Sequence, residues 1–115
     1  MQIPTYKPRS QKFLLGKLRD ALRQLNLRDW AVELIVGPHL PKGFEDCKGH
    51  AGAVLCEPDT LNAQIYINPA VCKYEDRDPL WALYHEVGHI WYNDTHDEEV
   101  LVNTLGVILC QKART

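Results

Sequence analysis

The sequence predicts an α+β domain: an N-terminal helix, a three-stranded, mostly antiparallel sheet, a helix carrying the motif HExxH, and a C-terminal helix. Three observations predict it. The chain has 115 residues, enough for one compact domain (1–115) and too few for two. Its apolar periodicity is helical at both ends and strand-like in the middle. Glycine, proline and asparagine punctuate the boundaries between these stretches.

Residues 10–27 place Leu14, Leu18, Ala21, Leu22 and Leu25 on one helical face, with Ser10 as the cap. Trp30 to Val36 is rich in β-branched residues and stops at Gly37-Pro38, which predicts a strand. A loop over 37–49 follows. Strands are expected at about 51–56 and 63–68, joined by a connector whose Pro58-Asp59 and Asn62 signal a hairpin turn. Asn68-Pro69 closes the sheet. Asp78-Pro79 then starts a helix, with Asp as N-cap and Pro at the first helical position. A last helix is expected over about 96–111, where Thr95 and Glu98 fit a capping box.

The composition is that of a globular protein, 45% hydrophobic and 24% charged. No membrane span or secretory leader is apparent, so a cytoplasmic protein with reduced cysteines is expected. Net charge is −2 but unevenly spread: residues 1–28 hold seven basic groups and one acidic group. The basic residues lack the aromatic interleaving of a nucleic-acid surface, and a solvated helix face is the expectation.

Residues 85 to 89 read His-Glu-Val-Gly-His. On a helix the two imidazoles stand one turn apart on one face, half of a tetrahedral zinc site. Glu86 is placed to take the proton of a water held by the metal. Hydrolytic zinc keeps three protein ligands and an open position. His96, Glu98 and Glu99 are the downstream candidates. A metzincin spacing fails, because His96 comes one residue late and Tyr92 occupies the glycine position. Glu98 is accounted for by the cap, which leaves Glu99 favoured. Asn103, one turn on, could hold a ligand imidazole by its other ring N–H. Gly106 and Cys110 continue that face, and Gly106 would allow close approach to the motif helix near Gly88. Leu80, Leu83, Val87 and Trp91, with Leu101, Leu105 and Ile108, are expected in the core, and Trp81 between core and cleft.

With HEVGH followed by Glu99-Val-Leu-Val-Asn103, the chain resembles the gluzincins, in particular the compact ImmA/IrrE-type metallopeptidases and the minigluzincins. The resemblance spans roughly residues 50–110, and Val102 stands where many relatives have alanine. It implies a zincin-like minimal metallopeptidase fold, one Zn²⁺ per chain on His85, His89 and Glu99, and Glu86 as catalytic acid/base. It also implies that the strand at 51–56 is the sheet edge on which an extended protein or peptide substrate pairs. A second donor for the oxyanion is expected, with Tyr92, His50 and Tyr66 as possible donors and His96 also in reach. The alternative is a non-hydrolytic or latent zinc-binding domain that holds a protein partner in its groove. Neither membrane nor nucleic acid is an expected partner.

Overall fold

A computed structural model describes residues 2–92 and 98–114 of the chain, giving only the backbone for 92, 98–102 and 114. The elements are α1 (Gln11–Gln24), β1 (Ala31–Val36), β2 (Gly52–Glu57), β3 (Asn62–Ile67), α2 (Pro69–Tyr74), α3 (Pro79–Tyr92) and α4 (Glu98–Arg114). Ser10 caps α1 as expected, its Oγ accepting from the Phe13 N–H at 3.0 Å. The Thr95/Glu98 capping box and His96 lie outside the described residues.

Helix α2 is an addition to the expected order. Asn68 does more than close the sheet: its Oδ1 accepts from the N–H groups of Ala70 and Val71, with Pro69 at the first helical position. The residue pair is the same kind of helix start as Asp78-Pro79.

The sheet order is β1-β3-β2, with β3 central. The β2–β3 pairing is antiparallel, as the hairpin requires. The β1–β3 pairing is parallel, so the sheet is mixed and the expectation of a mostly antiparallel sheet is corrected. The cause is the segment between β1 and β2. Gly37 donates its N–H to Ile67 O at 3.1 Å, and Asn68 donates to Ala51 O at 2.8 Å. Residues 37–51 are therefore pinned at both ends to the end of β3 and carry the chain across it to the far edge. That crossing puts β3 between its two partners.

Each face of the sheet has its own cover. Leu34, Ile65 and Val54 align across the three strands and face the helices, within a core that includes Leu14, Leu18, Leu80, Leu83 and Val87. On the other face Ile35, Tyr66 and Ala53 align beneath Phe44, which the crossing segment supplies. The Phe44 and Tyr66 rings lie 5.8 Å apart and both residues are fully buried.

Leu80, Leu83 and Val87 occupy the core as expected, whereas Trp91 and Ile108 are 47% and 45% exposed. At the end of α3 the buried position is Ile90, and on α4 it is Val107 rather than Ile108. The start of α3 is strapped by the N-terminal segment. Asp78 donates its N–H to Pro4 O, and its carboxylate accepts from Leu80 N–H at 2.9 Å and from Arg9 at 2.9 and 3.2 Å. Among the described residues, no helix is long and apolar enough to cross a membrane.

Candidate metal centre

Helix α3 brings His85, Glu86 and His89 together. Their potential ligand atoms lie within 4.8 Å of one another, and Glu86 is buried while the histidines are half-buried. The Nε2 atoms of His85 and His89 are 3.3 Å apart. Two imidazole nitrogens each about 2.05 Å from one tetrahedral ion stand about 3.3 Å apart. The same separation admits an N–H···N hydrogen bond between the rings. The donor set and its spacing thus fit a single metal ion.

Two glycines let neighbouring elements close on this helix. A Cβ at Gly52, the first residue of the edge strand β2, would stand 3.2 Å from Glu86 Oε2 and 3.1 Å from Ile67 Cδ1. The missing side chain leaves room for the Glu86 carboxylate against the sheet edge. A Cβ at Gly106 of α4 would stand 3.3 Å from both the His85 backbone nitrogen and Trp81 Nε1. The close approach anticipated for Gly106 is made to His85 and Trp81 of α3. It turns Asn103, Gly106, Val107 and Cys110 toward α3 and leaves Ile108 outside. Substituting Gly106→Val is expected to destabilise the fold by about 1–3 kcal/mol through overpacking. Urea denaturation checks this, and Ile108→Val, at an exposed position, should stay within about 0.5 kcal/mol of the parent.

A cleft of about 300 Å³ opens beside these residues, lined among others by His50, Gly52, Trp81, His85, Glu86 and Asn103. His89 contacts His85, which lines the cleft. Trp81 is 4% exposed and its ring lies 5.2 Å from that of His85, so it serves both core and cleft. Asn103 is half-buried on the cleft wall. Glu99 lies one turn before it on α4, its side chain outside the described residues.

The possible oxyanion donors separate in space. His50 is exposed and lines the cleft. Tyr66 lies under Phe44 on the opposite face of the sheet, where burial pushes its phenol pKa up against a smaller opposing effect of Asn68. The side chain of Tyr92 lies outside the described residues. Near His50, burial pushes the Cys47 thiol up, and the negative charges of Asp46, Glu86 and Glu45 add to it. The sequence alone does not single out Gly52 or Arg77, although both line the cleft. A glycine at a strand start is the available signal for the first. Comparison with family models, curated proteins and solved structures returns no match.

Proposed function

We propose that this chain is a zinc-dependent peptidase of zincin-like architecture that hydrolyses peptide bonds with Glu86 as proton carrier. The observation that carries this reading is the 3.3 Å spacing of the His85 and His89 Nε2 atoms, with a buried carboxylate adjacent in sequence. His85 and His89 would hold the ion, with the Glu99 carboxylate as third ligand. A bound Zn²⁺ supplies Lewis acidity toward a carbonyl and makes a water acidic near neutral pH.

The rest is done by the chain's own groups. Glu86 Oε2, held beside Gly52, accepts the proton of the attacking water and delivers it to the leaving amine nitrogen. Strand β2 is an edge of the sheet, and its outer backbone groups can pair with an extended peptide running past Glu86. His50, on the same wall, is a candidate donor for the developing oxyanion. Asn103 offers an amide oxygen to steady a ligand imidazole.

Elemental mass spectrometry of the purified protein tests the reading first. About one zinc per chain is expected, and His85→Ala and His89→Ala should each remove it. Absence of zinc after reconstitution near neutral pH would sink the proposal. Zinc without cleavage of any unfolded protein or peptide would leave a metal-holding domain that binds a partner.

A further inference from the structure

Arg77 sits between α2 and the capping residue of α3, and its backbone is fixed by an N–H donated to Cys72 O at 2.9 Å. Its guanidinium lies over the Trp81 ring, 5.4 Å from the centroid, and lines the same cleft as His85 and Glu86. The acidic residues nearest in sequence are engaged elsewhere. Asp76 accepts from Tyr6 N–H, and Asp78 accepts from Arg9 and Leu80. Glu75 shares the cleft wall but forms no ion pair with Arg77. The ion pairs described are Arg9–Asp78 and Arg23–Asp20, so among the described residues Arg77 has no carboxylate of its own.

A guanidinium laid on an indole keeps its in-plane N–H donors available, and their fork matches a carboxylate. Trp81 in turn lies 5.2 Å from His85 between ring centroids, so two contacts, of 5.4 and 5.2 Å, link the Arg77 guanidinium to the candidate metal ligand His85. An extended peptide advances about 3.3 Å per residue, so those two steps span at most about three residues. We propose that Arg77 is a carboxylate-recognising subsite, selecting peptides with a carboxylate within about three residues of the bond beside Glu86. The carboxylate is that of an acidic side chain or of the peptide's own C-terminus. The assignment rests on the peptidase reading for its choice of a peptide ligand.

The test uses binding, which does not depend on turnover. Alanine-rich octapeptides carrying one Glu or Gln at each position in turn, with free or amidated C-termini, are titrated against Glu86→Gln protein by calorimetry. Peptides with a suitably placed carboxylate are expected to bind roughly 10- to 100-fold more tightly than their neutral counterparts. Arg77→Gln should abolish that preference without weakening the neutral peptides, and Arg77→Lys should restore part of it. Dependence on the Glu position assigns the side chain, and dependence on amidation assigns the C-terminus. Equal binding of charged and neutral peptides, equal loss of both in Arg77→Gln, or no binding of any peptide would overturn the proposal. Cleavage of the same peptides by the wild-type protein is read separately. Arg77-dependent binding without cleavage would defeat the peptidase reading alone.

Discussion

Replacing Glu86 by glutamine is expected to lower peptide hydrolysis by about 10²- to 10⁴-fold while leaving zinc content and thermal stability close to those of the parent. Glutamine keeps the shape of the side chain, so the narrow space beside Gly52 is filled as before. Its amide is not basic enough to take a proton from water, and taking that proton is the role proposed for Glu86. Initial rates on a quenched-fluorescent peptide, with metal content measured on the same sample, check both halves of the expectation. Turnover equal to wild type would assign proton transfer to another group. Loss of zinc together with activity would make Glu86 a metal ligand instead of the base. The experiment therefore separates the two roles that its position in the cluster allows.

Arg9→Ala is expected to cost about 3–5 kcal/mol of folding stability, measured by urea or thermal denaturation. The Asp78 carboxylate is fully buried and the Arg9 side chain is only 10% exposed, so removing the guanidinium takes a positive partner from a carboxylate held away from water. The Leu80 N–H contact to that carboxylate would remain. A domain of this size has about 5–15 kcal/mol in total, so the loss is a large share. Arg23→Ala breaks the other described ion pair, whose side chains are 61% and 47% exposed, and should change stability by less than about 1 kcal/mol. Similar losses in both variants would show that burial is not what sets the value of the Arg9 pair.

The start of α3 is legible in the sequence because an N-cap and a first-position proline act locally, within one turn. The same chemistry stands at Asn68-Pro69, where it reads as the end of a strand; a six-residue helix offers too little periodicity to announce itself. The parallel β1–β3 pairing is not legible, since it depends on where residues 37–51 travel and not on any residue within either strand. Trp91 and Ile108 lie on apolar stripes of their helices, yet burial follows what covers a stripe, and Gly106 sets that for α4. At the site, HExxH predicts the cluster because i, i+4 spacing on a helix fixes geometry by itself. Arg77 escapes a sequence reading because its significance lies in Trp81 beneath it and in the prior engagement of Asp76 and Asp78, all of them tertiary facts.

The central position of β3 also bears on how the molecule assembles. β2 and β3 are joined by a four-residue connector, residues 58–61, and a hairpin of that kind closes within about 1–10 μs. β1 finds β3 only by closing the chain from Ala31 to Asn62, a longer and entropically costlier loop. The hairpin is therefore expected to form first, presenting the strand that borders Glu86 before β1 completes the sheet. The edge strand against which Glu86 later packs is then among the first structure the chain acquires.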